Sequence, residues 1–182
     1  MRLFIAVNFD NDSKKRIVAA QDRIRGEAEK GKFSSPENLH LTVVFLGETP
    51  EERLPAIKEA MTRAVSADGK PGPAFCMVFS KAGFFRRAGK ELWYLAPVAE
   101  KNLKELQARL AGELLARGFS IDTRPYNAHI TLGREVRNGP KPFTIEGISI
   151  PVKRISLMLS ENVREAGGKT RLVYTELFGV DL

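Results

Sequence analysis

The two histidines of this chain open the same short pattern, histidine, aliphatic residue, threonine, about half a chain apart. The two copies are His40-Leu41-Thr42 and His129-Ile130-Thr131. Each copy lies in a β-favouring segment, and in both halves of the chain a predicted strand and a predicted helix precede it. This repeated order of elements predicts a duplicated unit that forms two related lobes.

Hydrophobic periodicity and turn residues divide the chain into interleaved helices and strands. The first helix begins after a cap at Asp12 or Ser13 and runs to about Lys30, where Gly31 ends it. Further helices cover about 51–66 and 100–117, and strands cover 2–9, 40–46, 74–80, 91–96, 129–134, 144–150, 154–160 and 172–179. Several strands follow one another too closely for a parallel crossover. The pattern therefore predicts an α+β fold with antiparallel sheets, in one domain spanning residues 1–182.

Composition excludes several classes of protein. A single cysteine, Cys76, cannot close a disulfide within the chain, and its apolar surroundings predict a core position. The chain has no segment near the ~20 apolar residues of a membrane span, and its first apolar run is too short for a signal peptide. We therefore expect a cytoplasmic protein. The net charge of +7 favours a polyanionic partner without identifying it.

The spacing within each pattern predicts where its side chains point. Residues two apart in a strand share a face, so each histidine projects beside its threonine, while Leu41 and Ile130 point the other way into a core. Two such strands facing one another would place two imidazoles and two hydroxyls around one small space. That set suits a phosphate or phosphodiester, because the hydroxyls donate to its non-bridging oxygens. A neutral imidazole then takes a proton from the nucleophile, and a protonated imidazole gives a proton to the leaving oxygen.

Two other interpretations of the histidines are weaker. A single histidine in a strand is more often a packed side chain satisfied by a neighbour, but two in matching frames favour a shared site. A zinc site is disfavoured, because two histidines and one cysteine without close spacing do not make the usual ligand set. Acid and base catalysis by two imidazoles needs no metal.

The surroundings of the two patterns resemble a known family, the 2H phosphoesterase superfamily, and within it the RNA 2′,3′-cyclic phosphodiesterase group, also called 2′-5′ RNA ligase-like proteins. The resemblance covers essentially the whole chain. It rests on His-Leu-Thr-x-x-Phe-Leu-Gly from His40, His-Ile-Thr-Leu-x-Arg from His129, the opening Arg-Leu-Phe-Ile-Ala-Val, and the closing Gly-Gly-x-x-x-x-x-Tyr-x-x-Leu. It implies two pseudo-symmetric lobes with antiparallel sheets around a central cleft and helices on the outer faces.

The resemblance also implies an activity and roles for individual residues. The activity is metal-independent hydrolysis of a terminal 2′,3′-cyclic phosphate to a 2′-phosphate, with no cofactor. His40 matches the proton donor to the departing 3′-oxygen, and His129 matches the base that activates water. Thr42 and Thr131 match the threonines that hold the phosphate. The partner is RNA, or a nucleotide, with a 2′,3′-cyclic phosphate end, and we expect a monomer. The residues themselves are too symmetric to tell donor from acceptor.

Two further candidates, Phe45 and Arg134, each lie five residues after a histidine. They resemble positions that contact the terminal base or phosphate. Strict alternation instead places them on the face opposite the histidines, where Phe45 would be a core aromatic and an arginine would be costly. A strand end or bulge near Gly47 and Gly133 would reconcile the two interpretations.

Aromatic and basic residues outside the patterns leave open questions. Many family members place proline directly before the second pattern, whereas here 124–128 reads Arg-Pro-Tyr-Asn-Ala. Tyr126 is a candidate base contact, and a packed aromatic is the alternative. The connection 81–90 carries Arg86, Arg87 and Lys90, which suit either an RNA backbone or a solvated hairpin tip.

Two alternative functions stay open from the sequence. The same acid and base would join RNA ends through a 2′-5′ bond if a 5′-hydroxyl replaced water. A nucleotide-binding or RNA-binding module without turnover would also place histidines against a phosphate.

Overall fold

The computed structural model describes residues 1–67, 70–164 and 168–182. Gly167 of the closing pattern and the side chain of Arg87 lie outside the described part. In these ranges the helices are α1 (Asn11–Glu27), α2 (Leu54–Val65) and α3 (Lys101–Ala116). The strands are β1 (Arg2–Asn8), β2 (Lys30–Phe33), β3 (His40–Glu48), β4 (Ser66–Ala67), β5 (Lys70–Pro71), β6 (Phe75–Arg87), β7 (Lys90–Pro97), β8 (Ile130–Arg137), β9 (Phe143–Val152), β10 (Arg154–Arg164) and β11 (Thr170–Asp181). No helix in these ranges is long and apolar enough to cross a membrane.

One antiparallel sheet contains both halves of the protein, and the two histidine segments lie at its centre. The strand order is β11-β10-β1-β3-β8-β7-β6-β9, with β2 also paired to β8. β3 and β8 meet where Leu41 lies opposite Ile130. On either side of this pair the strands follow in a corresponding order, with the strand that precedes a helix, β1 or β7, next to the histidine strand. The predicted α+β fold with two pseudo-symmetric halves is confirmed.

Each half of the sheet is covered by a helix that follows, in sequence, a strand of the other half. α1 follows β1 but packs on β2, β8 and β9, whereas α3 follows β7 but contacts β3 and α2. Most of the buried side chains of both halves form one hydrophobic core, in which Leu41 and Ile130 are fully buried as the strand alternation predicts. The two halves thus stabilise each other through shared burial. Their origin by duplication stays a prediction.

The N-terminal region of the structure differs from the sequence-based expectation at both ends of α1. Asp10, rather than Asp12 or Ser13, caps the helix, because its carboxylate accepts a hydrogen bond from the Ser13 main-chain nitrogen at 2.7 Å. The helix ends at Glu27, before Gly31. The following residues, Lys30–Phe33, form β2, which pairs with β8 from the other half of the protein.

The hairpin of β6 and β7 is longer than predicted. Most of the segment 81–90, predicted as a connection, continues the two strands, and the pairing extends to Arg87 opposite Lys90. Cys76 on β6 is exposed, so its predicted core position is wrong. Strand alternation explains the difference, because the next residue, Met77, is the one that enters the core.

A buried amide on α1 fixes the chain between β2 and β3. Gln21 is fully buried, and its Nε2 donates to the main-chain oxygens of Ser34 at 2.8 Å and Leu132 at 2.7 Å. We expect Gln21→Met, which keeps the volume and removes the donor, to lower the free energy of unfolding by about 2 kcal/mol, since a buried acceptor loses its partner. Urea unfolding of both proteins measures this difference. An unchanged midpoint would show that the amide adds nothing to stability.

Candidate functional site

A bulge in β3 turns Phe45 to the same face as the first histidine. Opposite β1, the register runs from Ile5 paired with Val44 directly to Ala6 paired with Thr42, so Val43 is skipped. Beyond a skipped residue, strand alternation is inverted. Phe45 therefore projects with His40 and Thr42, although it lies an odd number of residues from them.

The second histidine segment has a bulge at the corresponding place. Opposite β7, the register passes from Trp93 paired with Gly133 to Tyr94 paired with Thr131, so Leu132 is skipped. Arg134 consequently lies on the same face as Thr131. A bulge does reconcile the two interpretations of these positions, and it lies at the third residue after each histidine. Leu132 adjoins Gly133, as predicted, and the register of β3 against β1 shifts a second time beside Gly47, where Leu46 is skipped.

The two segments enclose a cavity of about 140 Å³, here called the histidine cavity. All but one of the sequence-predicted site residues line it. Among the described residues, its lining is Arg2, Phe4, His40, Thr42, Phe45, His129, Thr131, Arg134, Ser160 and Tyr174. The structure thus brings together both imidazoles, both threonine hydroxyls, Phe45 and Arg134.

Residues of β1, β10 and β11 complete the cavity and were not identified as site residues from the sequence. Phe4 and Tyr174 belong to the opening and closing patterns, which gave a signal for their positions but not for their role. Arg2 also belongs to the opening pattern, whereas Ser160 lies outside every pattern. For both residues, the sequence did not show which face of the strand points to the cavity.

His40 is held by hydrogen bonds at both ring nitrogens. Its Nδ1 lies 2.7 Å from the Asn38 carbonyl oxygen, which only accepts, so Nδ1 carries a hydrogen. Its Nε2 lies 3.0 Å from the Thr42 hydroxyl. The ring also packs against Phe4 and Tyr174, with centroid distances of 4.8 and 5.1 Å. These contacts fix the ring so that Nε2 is the nitrogen that exchanges a proton.

His129 is held at Nδ1 in the same way, from the other half. Its Nδ1 lies 2.8 Å from the Asn127 carbonyl oxygen, which again leaves Nε2 for proton exchange. The rings of Phe85 and Tyr94 stack on each other and meet His129 edge-on at 6.2 and 6.0 Å. Tyr94 has room there because of Gly83, where a Cβ would lie 3.2 Å from the tyrosine hydroxyl.

The charge in the cavity is positive. Arg2 and Arg134 contribute guanidinium groups, and no carboxylate belongs to the lining given above. Burial lowers the pKa of His40 below its ordinary value. Repulsion from Arg134 and His129 lowers this pKa further, whereas the hydrogen bond to Asn38 raises it. A bound anion would offset that repulsion. The cavity therefore suits an anionic group, and the two imidazoles beside that group can accept or donate a proton.

Tyr126 is the one predicted site residue that does not line the histidine cavity. Its hydroxyl donates to the main-chain oxygen of Thr42 at 2.8 Å, and burial raises its pKa. The side chain thus ties the segment before the second pattern to the strand of the first. This contact matches the packed alternative rather than a base contact.

Two basic residues of the β6–β7 hairpin, Arg86 and Lys90, form ion pairs within the protein. Arg86 donates to the buried carboxylate of Glu91 at 2.7 Å, and the same carboxylate accepts from Trp93 at 2.9 Å. Lys90 lies 3.5 Å from Glu135 on β8. These contacts indicate that Arg86 and Lys90 support the hairpin.

Sequence comparisons place the chain among proteins with a common activity in their names. A model of the 2′-5′ RNA ligase superfamily matches residues 13–164. A Thermus thermophilus protein named RNA 2′,3′-cyclic phosphodiesterase is 32% identical over 169 residues, which are 88% of this chain and 82% of that protein. A Thermotoga maritima protein of the same name is 30% identical over 154 residues, covering 83% and 79% of the two chains.

Solved structures agree with the sequence comparisons. The crystal structure of TT0787 from Thermus thermophilus matches with a TM-score of 0.82 and 29% identity, over 100% of this chain and 98% of that one. Escherichia coli LigT complexed with 3′-AMP matches with a TM-score of 0.74 and 27% identity, over 100% and 97% of the two chains.

Proposed function

Because the chain belongs to the 2′-5′ RNA ligase superfamily, a family of phosphoesterases, we propose that it hydrolyses RNA 2′,3′-cyclic phosphate ends to 2′-phosphates without a metal. The observation that carries this proposal is the histidine cavity. Two imidazoles, each held at Nδ1 by a carbonyl, face one positively charged space together with two threonine hydroxyls. No group of three or more His, Cys, Asp or Glu side chains in the described residues is placed to hold a metal ion.

The size and polarity of the cavity suit the cyclic phosphate itself. Its volume of about 140 Å³ is smaller than the roughly 300–1,000 Å³ of sites that enclose whole small molecules. It therefore holds the reacting group rather than the nucleoside. Thr42 and Thr131 donate to the non-bridging oxygens, and Arg2 and Arg134 offset their charge.

In the proposed reaction, His129 accepts a proton from a water molecule as the water oxygen bonds to phosphorus. The bond from phosphorus to the 3′-oxygen breaks, and His40 gives its proton to that oxygen. The 2′-phosphate remains. This division of roles follows the family resemblance. A phosphate bound in the cavity would favour the protonated form of His40 that the step requires, because its negative charge offsets the positive surroundings.

The proposed pair gives a pH dependence with a definite direction. We expect bell-shaped profiles whose limits belong to the coupled histidines, since one must be protonated and the other neutral. The limits for kcat should lie at higher pH than those for kcat/KM, because the bound anion offsets the repulsion that, with burial, lowers the His40 pKa in the free enzyme. Steady-state rates on adenosine 2′,3′-cyclic phosphate measure both. A flat profile between about pH 5 and 9 would contradict the mechanism.

Product analysis tests the proposed activity. An RNA oligonucleotide ending in a 2′,3′-cyclic phosphate is incubated with the enzyme in EDTA, with and without a second oligonucleotide bearing a 5′-hydroxyl. We expect a 2′-phosphate in both reactions, lost in His40→Asn and His129→Ala. Loss of activity in EDTA would disprove metal independence. A longer, 2′-5′-linked product alone would identify ligation, and an unchanged substrate would identify a binding module.

A further inference from the structure

A second, larger cavity adjoins the histidine cavity and is here called the flanking cavity. It measures about 480 Å³ and shares four walls with the histidine cavity: His40, Thr131, Arg134 and Tyr174. Its other walls come from the end of β2 with the residues after it, and from the start of β11. A group bound there lies directly beside a phosphate bound between the two histidines.

The two cavities differ in what they can enclose. The histidine cavity is below the size range of small-molecule sites, whereas the flanking cavity falls within that range of roughly 300–1,000 Å³. When the reacting phosphate of a substrate fills the histidine cavity, the rest of the substrate must lie outside it. The flanking cavity adjoins the histidine cavity and is large enough for a nucleotide-sized group.

The flanking cavity has the chemistry of a site for a sugar and a phosphate. Lys32 on one wall and Arg171 on the other add two cations to the shared Arg134, and none of the described residues that line the cavity is a carboxylate. Ser34 and Thr170 add hydroxyls. Cations contact phosphate oxygens, and hydroxyls exchange hydrogen bonds with phosphate and ribose oxygens.

Hydrogen bonds hold the walls of the flanking cavity in place. The Ser34 main-chain nitrogen donates to the main-chain oxygen of Leu132 at 3.0 Å, and the Ser34 hydroxyl donates to the main-chain oxygen of Thr131 at 3.1 Å. The Asn38 side chain donates to the main-chain oxygen of Leu172 at 2.8 Å and so joins the two walls. A cavity formed in advance loses little conformational freedom when a ligand binds.

We propose that the flanking cavity binds the ribose of the cyclic-phosphate nucleotide of an RNA strand, together with the phosphodiester that joins this nucleotide to the preceding one. Lys32 and Arg171 contact the phosphodiester between these two nucleotides, which lies one ribose away from the reacting phosphorus. The ion pair of Lys32 with Glu135, 3.0 Å long and largely exposed, is of the weak kind that a phosphate can displace. The inference rests on the proposed function and adds that RNA strands are better substrates than cyclic mononucleotides.

The test compares kcat/KM for adenosine 2′,3′-cyclic phosphate with that for the dinucleotide ApA ending in the same group. We expect wild type to prefer the dinucleotide, and Lys32→Gln and Arg171→Gln each to reduce that preference by about tenfold, the size of one charge-assisted hydrogen bond. The mononucleotide rate should not change. Lys30→Gln is the matched control, because Lys30 is an exposed lysine of the same strand outside the lining.

Salt dependence provides a second readout. The logarithm of kcat/KM should fall more steeply with the logarithm of salt concentration for the dinucleotide, by a slope of about 0.7 per phosphate contact, and each variant should reduce this difference. Equal rates and slopes for the two substrates in wild type would overturn the inference while leaving the proposed function intact. So would an equal loss on both substrates in the variants.

Binding separates failure of this inference from failure of the proposed function. Calorimetry compares the affinities for adenosine 2′-phosphate and for ApA ending in a 2′-phosphate. If neither cyclic substrate is hydrolysed, the proposed function fails, yet tighter binding of the dinucleotide that depends on Lys32 and Arg171 would still support the subsite. Equal affinities for the two ligands would overturn it.

Discussion

Replacing His129 by alanine lowers kcat by about 10²–10⁴-fold, the usual contribution of one acid or base step. His40→Asn should have an effect of similar size, because the amide keeps a donor near the Asn38 carbonyl but cannot deliver a proton from Nε2. The double variant should be little worse than either single one, since the two histidines act as a unit in one reaction. Rates of cyclic-phosphate hydrolysis under saturating substrate measure all three.

Tyr94→Phe is the matched control for these variants. It keeps an aromatic ring beside His129 and removes only the hydroxyl, so activity should stay within a few-fold of wild type. Circular dichroism checks that each protein is folded. A loss below tenfold in either folded histidine variant would show that its imidazole transfers no proton in the rate-limiting step.

The second large effect is expected at Arg134, which lines the histidine cavity. None of the described residues that line this cavity is a carboxylate that could offset its charge. Arg134→Gln should lower kcat/KM by about 10²–10³-fold, the typical cost of removing one group that stabilises developing charge. Arg137→Gln, an exposed arginine of the same strand that does not line the cavity, should leave the rate unchanged.

The pH profile of the Arg134 variant distinguishes an electrostatic role from a structural one. The Arg134 charge contributes to the lowered pKa of His40. Its removal should raise that pKa, so that His40 keeps its proton to higher pH and the limits of kcat/KM move upward. A large loss of activity with unmoved limits would indicate that Arg134 acts through the shape of the site instead.

Local sequence predicted the placement of the side chains around the site well, because that placement depends on local geometry. Alternation within a strand places His40 beside Thr42 and sends Leu41 into the core, and the same holds around Ile130. The match between the two patterns then indicates that both serve one space. None of these inferences needs knowledge of which strands are neighbours.

Features that depend on strand pairing were not predictable in this way. The bulges at Val43 and Leu132 are defined by register against β1 and β7, so alternation alone placed Phe45 and Arg134 on the opposite face. Arg2 reaches the cavity only because β1 lies beside β3. The sequence contains no local signal for these neighbours.

Two other differences have the same cause. Gly31 has the signal of a helix end, but its segment forms β2 by pairing with β8, about a hundred residues away in sequence. Tyr126 precedes the second pattern like a site residue, yet its hydroxyl bonds to the Thr42 carbonyl across the molecule. In both cases a long-range contact decides the role of the residue.

The most direct test of the acid and base roles uses a cyclic phosphate in which sulfur replaces the 3′-oxygen. A thiol has a pKa near 8.5, so a thiolate is a stable leaving group at neutral pH. It leaves without the proton that a departing alkoxide requires. We expect this substrate to restore the rate of His40→Asn to near that of wild type, while His129→Ala stays slow because water still needs a base. Equal defects of the two variants on the sulfur substrate would contradict the assignment of His40 as the proton donor.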